Sequence, residues 1–310
     1  MTKDKLINGI PKATHVRKWM KFFSQQFSPQ FANTENINNK YLDIPYTVNE
    51  NGPALDLYLP SEPQGAPFPV IIFIHGGGWL LGDKRTVLIE PLFYLLKKGY
   101  AFISINYSLS SAVEFPTPVH EVKTAVRWLR AHAGEYNLDP ERIVLWGASA
   151  GGHLAALAGT TADKETLDDP SLGWEKQSCR VEAVVDWFAP INILDMWERN
   201  KGLSMVEDAA SMETLFFGDD PPNIPQKIRE GSPDTHIDPH TPPIIIQHGD
   251  QDDAVPAQQS INFASKLEKV IGKDKVILEI LKGAGHEDER FYSKENLDKI
   301  VGYLEKYLSS

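Results

Sequence analysis

Six short apolar runs limit the folds open to this chain: residues 70–74, 101–105, 143–146, 181–185, 244–247 and 276–281. Each is too short for a buried helix and rich in branched side chains, which reads as strand. Segments of helical spacing separate them, near 85–98, 118–135, 150–160, 257–271 and 293–308. A strand that is apolar at every position must be covered on both faces, and strands alternating with helices give that cover as a parallel sheet. Two earlier runs, 41–48 and 55–59, alternate more, and Pro60 ends the second. They read as an antiparallel edge. The pattern predicts an α/β fold with a mostly parallel, eight-stranded sheet and helices on both faces, residues 1–310 forming a single domain.

Two stretches depart from this order. Residues 12–27 have helical spacing, with Val16, Trp19, Met20, Phe23 and Phe27 along one face and Lys12, Arg17, Lys18 and Lys21 over much of the other. A basic amphipathic helix can lie on a membrane, but packing of the aromatic face on the domain is the expectation here. An Asn-rich loop completes this N-terminal segment, residues 1–40. Between about 187 and 235 the alternation of strand and helix breaks, and Trp187, Phe188, Trp197, Phe216 and Phe217 gather there with several prolines. An insertion after a strand's C-terminal end lands on the ligand face of such a sheet. A small substrate-covering cap is therefore expected from about 187 to 235.

Acidic residues outnumber basic ones, 42 to 31, for a net charge of −11. Without a basic excess to neutralise phosphates, nucleic acid is an unfavourable partner. The single cysteine, Cys179, can form no internal disulfide, and no Cys/His cluster has zinc-ligand spacing. No apolar stretch reaches the length of a membrane span, and no secretory apolar core follows Met1. The expectation is a cytoplasmic protein with no membrane association, compatible with homo-oligomers.

The chemistry gathers where predicted strands end. The run ending at Trp146 leads into Gly147-Ala148-Ser149-Ala150-Gly151, then into an Ala/Leu-rich helical stretch. Glycines on either side of the serine suit a tight strand-to-helix turn that lifts the hydroxyl clear of the sheet, below the unpaired N–H groups of a helix start. After residue 74 comes His75-Gly76-Gly77-Gly78-Trp79, whose backbone N–H groups, with that of Ala150, can converge on an oxyanion. His75 precedes these donors and reads as a support for their loop. After residue 247 comes His248-Gly249-Asp250-Gln251-Asp252-Asp253, where any of three carboxylates can orient a histidine. The last strand leads into Gly283-Ala284-Gly285-His286. Serine, acid and histidine stand in the chain order of the α/β-hydrolases.

These stretches, with Gly82-Asp83-Lys84, Asn106-Tyr107, residues 139–143 and Val255-Pro256, closely resemble the α/β-hydrolase esterases of the hormone-sensitive-lipase type. The nearest likeness is to the bacterial branch that contains acetyl-xylan and feruloyl esterases. The resemblance covers about residues 70–290. It implies Ser149 as nucleophile, His286 as general base, Asp252 as its acid, and Gly77, Gly78 and Ala150 as the oxyanion hole, with no metal and no organic cofactor. Two departures stand out. Ser108 occupies a position where relatives often carry arginine, and His286 is followed by Glu287, Asp288 and Glu289 rather than glycine. That acidic run can raise the pKa of His286 or change how the site receives charged substrates.

The implied activity is hydrolysis of a small-molecule carboxylic ester through an acyl-enzyme. A kynurenine formamidase-like amidase is the main alternative, with a peptidase or a non-catalytic receptor behind it. Trp79, Trp187 and Phe188 are the expected substrate-binding residues, as an aromatic wall for ring-shaped groups. With no long apolar tunnel evident for a fatty acyl chain, esters of short acyl groups, about two to four carbons, are expected, and the resemblance implies acetylated sugars or hydroxycinnamate esters as the natural targets.

Overall fold

The continuous apolar runs become the middle of one sheet. The computed structural model describes residues 5–26, 30–49, 51–61, 67–200 and 206–308. The strands of this sheet are β1 Lys40–Pro45, β2 Ala54–Tyr58, β3 Phe68–Ile74, β4 Ala101–Ile105, β5 Leu138–Ala148, β6 Ala183–Trp187, β7 Ile244–Gly249 and β8 Val276–Leu281. They lie in the order β8-β7-β6-β5-β3-β4-β2-β1. β1 and β2 form the antiparallel edge, and all other neighbours except β2 and β4 run parallel. This is the mostly parallel α/β sheet that the sequence pattern predicts and the α/β-hydrolase fold that the resemblance implies.

β3 explains why such a strand must be apolar throughout. Val70, Ile72 and Ile74 face one layer, packed with Val122, Val126 and Leu154. Ile71 and Phe73 face the other, packed with Ile300 and Leu304. None of the five residues from Val70 to Ile74 is more than 1% exposed. Each side chain buried to that degree contributes about 1.5–3 kcal/mol. Helices α2 Thr117–His132, α3 Ala150–Thr160 and α7 Gln258–Ile271 supply the first layer, and α8 Lys294–Leu308 the second.

Three elements differ from the sequence expectation. The helix expected near 85–98 is two 3₁₀ segments, Val87–Ile89 and Pro91–Lys98. Pro91 has no N–H with which to continue the first hydrogen-bonded run, so a new one starts. β5 begins five residues before its apolar run, at Leu138. β6 starts at Ala183 and runs through Trp187, two residues beyond the expected span, which carries Trp187 into the sheet.

The N-terminal helix α1, Lys12–Gln26, packs on the domain. Trp19 is buried, and its indole N–H donates to the Ala210 carbonyl at 2.8 Å. His15 accepts from the Ala210 N–H through Nδ1 at 3.0 Å and donates to the Ile7 carbonyl through Nε2 at 3.2 Å. The basic face is partly neutralised, Lys12 by Glu114 and Lys18 by Asp208. Met20 points outward, 49% exposed, so the apolar face is narrower than the spacing suggests. Phe27 lies outside the described residues, as does the side chain of Phe23. Among the described residues no helix is long and apolar enough to cross a membrane.

The junction of β5 and α3 tolerates no side chain at either glycine. A Cβ on Gly147 would sit 2.1 Å from the Gly151 carbonyl oxygen, and one on Gly151 would sit 2.0 Å from the carbonyl oxygen of Ile74. Both obstacles are backbone and cannot swing away. Gly302, on the exposed side of α8, meets nothing within 4 Å. Urea denaturation therefore has a built-in contrast. Gly147→Ala is expected to lose about 3 kcal/mol of stability, and Gly302→Ala to gain about 1 kcal/mol from helix propensity. Similar small changes in both variants would contradict the tight junction.

Candidate active site

Four loops converge above the C-terminal ends of β3, β5, β7 and β8. Ser149 has φ 53° and ψ −120°, a conformation costly for a residue with a side chain, imposed by the turn from β5 into α3. Its N–H donates to the Trp187 carbonyl at 2.8 Å, and its carbonyl accepts from His153 N–H at 3.0 Å. The hydroxyl is thus held at the head of α3, at the positive end of the helix dipole.

His286, in the loop after β8, reaches Ser149 Oγ through Nε2 at 3.0 Å and Asp252 Oδ2 through Nδ1 at 2.7 Å. With a carboxylate facing Nδ1, that nitrogen carries the proton, and Nε2 is free to accept the serine hydroxyl. The Phe188 ring lies edge-on to the imidazole, 4.8 Å between centroids. Asp252 is well anchored. Its Oδ1 accepts from the N–H groups of Ala254 and Val255 at 2.9 and 2.8 Å. Its Oδ2 receives His286 and also His248 Nε2, at 3.1 Å. Burial works against the charged form, but the hydrogen bonds from His248 and His286 outweigh it and hold the carboxyl well below the usual range. Of the neighbouring carboxylates, Asp250 accepts from Gly283 N–H at 2.6 Å and Asp253 is exposed. Only Asp252 meets His286.

His248 is the residue that sequence reasoning passed over. It is fully buried, takes the Ser260 hydroxyl on Nδ1 at 2.7 Å, and shares its Nε2–H between Val255 O at 2.8 Å and Asp252. The signal was its place at the end of an apolar strand, four residues before the acid.

The glycine loop after β3 lies against this group. Gly77 and Gly78 have φ of 104° and 58°, open to glycine alone at little cost. Among the described residues no protein group accepts the N–H of either. Ala150 is the first residue of α3, so its N–H has no acceptor within the helix. His75 is buried, stacks on Tyr107 at 4.5 Å, and donates from Nδ1 to the Gly76 carbonyl at 2.8 Å. Burial lowers its pKa to about 4, so it braces the loop as a neutral ring. Ser108 gives its N–H and hydroxyl to the buried Glu121 carboxylate at 2.7 and 2.6 Å.

The expected aromatic wall is corrected by the structure. Trp79, Trp187 and Phe188 are 3%, 0% and 0% exposed. Trp79 stacks on Phe216 at 4.7 Å and donates to His153 Nδ1 at 3.2 Å. Trp187 belongs to β6, where its side chain enters the layer beneath the sheet and donates to Gln247 Oε1 at 2.8 Å. Phe216 and Phe217 are buried as well. Trp79, Phe216 and Phe217 pack with Phe115 in the first layer, and Trp187 and Phe188 with Phe291 in the second. From the 187–235 stretch, helix α5 Met212–Phe217 brings a thioether to the loop instead, for Met212 Sδ fills the space a side chain on Gly78 would need. Among the described residues no cluster of His, Cys, Asp or Glu could hold a metal ion.

The BD-FAE family matches residues 55–267, which include Ser149, Asp252 and the glycine loop and stop short of His286. The chain belongs to the BD-FAE family. Curated relatives include the esterase LipQ of Mycobacterium tuberculosis, 29% identical over 73% of this chain and 52% of that protein. Another is the probable carboxylic ester hydrolase LipM of the same organism, 31% identical over 77% and 54%. The chain spans about half the length of these relatives. Among solved structures, a truncated carbohydrate esterase from gut microbiota superposes with TM-score 0.78 at 28% identity, over 91% of this chain and all of that one. Esterase 2 of Thermogutta terrifontis follows with TM-score 0.69 at 26% identity, over 87% and 93%.

Below the serine turn lies a buried carboxyl that the hydrogen-bonded line does not include. Asp186 pairs in register with Gly147, accepts from Ala189 N–H at 3.1 Å through Oδ1, and among the described residues leaves Oδ2 buried without a partner. Burial pushes its pKa up to about 7, against the opposing pull of His248. A folded-state value above the unfolded one means the folded protein holds this proton after the unfolded chain has lost it. The stability it contributes is complete below about pH 4 and is lost as pH rises to about 7. Between pH 5 and pH 8 the wild type is therefore expected to lose on the order of 2 kcal/mol relative to Asp186→Asn, measured by urea denaturation. Parallel pH dependence in the two proteins would place the proton elsewhere.

Proposed function

We propose that this chain is a serine carboxylester hydrolase that acts through an acyl-enzyme on short-chain acyl esters. The observation that carries this is the unbroken hydrogen-bonded line from Ser149 Oγ through His286 to Asp252, at 3.0 and 2.7 Å. His286 takes the hydroxyl proton as Ser149 Oγ bonds to the ester carbonyl carbon, and Asp252 stabilises the imidazolium that forms. The carbonyl oxygen becomes an oxyanion held by the N–H groups of Gly77, Gly78 and Ala150, with the α3 dipole behind them. Collapse breaks the ester C–O bond, and His286 returns its proton to the departing alcohol. Water then attacks the acyl-enzyme with His286 as base, releasing the acid and restoring Ser149.

The support for short acyl groups is no longer an aromatic wall. It is Met212, which narrows the space beside the glycine loop. It is also the likeness to Thermogutta terrifontis esterase 2, solved with propionate and with butyrate bound. The likeness to a carbohydrate esterase and to a bifunctional GH43-CE protein of Bacteroides eggerthii favours acetylated sugars or hydroxycinnamate esters as the natural class.

Two measurements test this reading. Ser149→Ala is expected to lower kcat/KM for 4-nitrophenyl acetate by about 10³-fold or more, with an unchanged melting temperature. Residual activity within tenfold of wild type would remove Ser149 as nucleophile. Across acetyl to palmitoyl nitrophenyl esters, kcat/KM is expected to peak at two to four carbons, roughly, and to exceed that for N-formylkynurenine. A peak at ten carbons or beyond would refute the short-chain assignment, and preference for N-formylkynurenine would make the protein a formamidase.

A further inference from the structure

Of the acidic run after His286, one carboxylate faces the site. Asp288 is occupied by Arg290, which it receives through both carboxylate oxygens at 2.7 and 2.8 Å, and Glu289 opens the following 3₁₀ turn. Glu287 goes the other way. The space left by the missing side chain of Gly76 is bounded by Ser149 Cβ and Glu287 Oε1, each 3.3 Å from the point a Cβ would occupy. The carboxylate oxygen and the serine Cβ are thus no farther apart than twice that distance.

Three further observations bear on what this group does. Among the described residues, the Glu287 side chain has no hydrogen-bond or ion-pair partner. Its backbone holds φ 56°, a left-handed conformation unfavourable for any residue with a Cβ. Solvent reaches the residue, yet desolvation is the largest influence on its carboxyl and raises its pKa. The residue is exposed, and its carboxylate reaches the gap between the start of the glycine loop and the Ser149 turn. The strained backbone holds an unpartnered acceptor at the entrance to the nucleophile.

We propose that Glu287 is a specificity residue that accepts a hydrogen bond from a hydroxyl carried next to the scissile ester and repels substrates with an anionic group there. This deepens the esterase reading and rests on it. The favoured class is a partly acylated polyol or sugar with a free neighbouring hydroxyl. A carboxylate is a stronger acceptor for such a hydroxyl than a neutral amide or water-filled space. The same charge near the reacting centre disfavours a second negative charge.

The test compares kcat/KM for three acetate esters in wild type, Glu287→Gln and Glu287→Ala. The esters are phenyl acetate, 4-acetoxybenzoate, and a methyl xyloside carrying one acetyl group beside a free hydroxyl. In Glu287→Ala the xyloside-to-phenyl ratio is expected to fall about tenfold, chiefly through KM, with a smaller fall in Glu287→Gln, which keeps an acceptor. The acetoxybenzoate-to-phenyl ratio is expected to rise severalfold in both. A common loss on all three esters would mark Glu287 as structural and overturn the proposal. So would ratios within twofold of wild type, while wild-type turnover keeps the esterase reading intact. Failure of the wild type to cleave any of the three esters would overturn both readings together.

Discussion

The site depends on one close approach of backbone to backbone. Gly151, in the first turn of α3, lies so near the end of β3 that a single added carbon would strike the carbonyl oxygens of Ile74 and His75 at 2.0 and 2.5 Å. That approach sets the head of the helix directly against the start of the glycine loop. The serine above α3 and the free N–H groups of Gly77 and Gly78 therefore share one small volume. Move the helix out by the width of a methyl group and the Ser149 hydroxyl and these N–H groups no longer face the same atom. Everything else around the site serves to hold that contact: the apolar strands beneath it, the neutral His75 stacked on Tyr107, and the Ser149 N–H anchored to Trp187 O.

Charge is managed just as locally. Asp252 is surrounded by donors, two backbone N–H groups and two imidazoles, so its negative charge is fixed in direction as well as in amount. His248 matters because it is a second donor on the oxygen that His286 uses, and because its other nitrogen is fixed by Ser260. His75 and His153 are both lowered to about 4 by burial, each donating to a carbonyl. Near the site, His286 is the imidazole that solvent reaches, at 20% side-chain exposure, and the one aimed at a hydroxyl.

Much of this was legible in the sequence, for physical reasons that vary from residue to residue. Continuous apolar runs announce burial on two faces, so the parallel sheet and its order of strand and helix could be read. Glycine spacing around Ser149 reported a steric demand that the structure meets within a few ångströms. The choice of Asp252 over Asp253 was not legible from composition, because three carboxylates on one loop differ only in where the backbone points them. It came from the family likeness. For Trp187 the aromatic wall failed because a strand boundary moved by two residues. Trp187 counted as the start of an insertion lines a cleft, but Trp187 inside β6 fills a core. A carboxylate such as Glu287 could be noticed as unusual, yet its direction depends on a left-handed residue that no propensity foretells.

The strand that carries the base has its own consequence. Among the described residues β8 lies at the outer edge of the sheet, paired only with β7, and the loop after it holds His286. Ser149 and His286 are 137 residues apart in the chain. Pairing across such a separation comes late in folding, because the loop-closure entropy must be met first. During synthesis the serine turn can be complete while the histidine has yet to leave the ribosome. A serine without its base has the reactivity of an ordinary alcohol. In the proposed mechanism Ser149 therefore gains its base only when β8 docks on β7, and the edge that completes this side of the sheet also completes the hydrogen-bonded line.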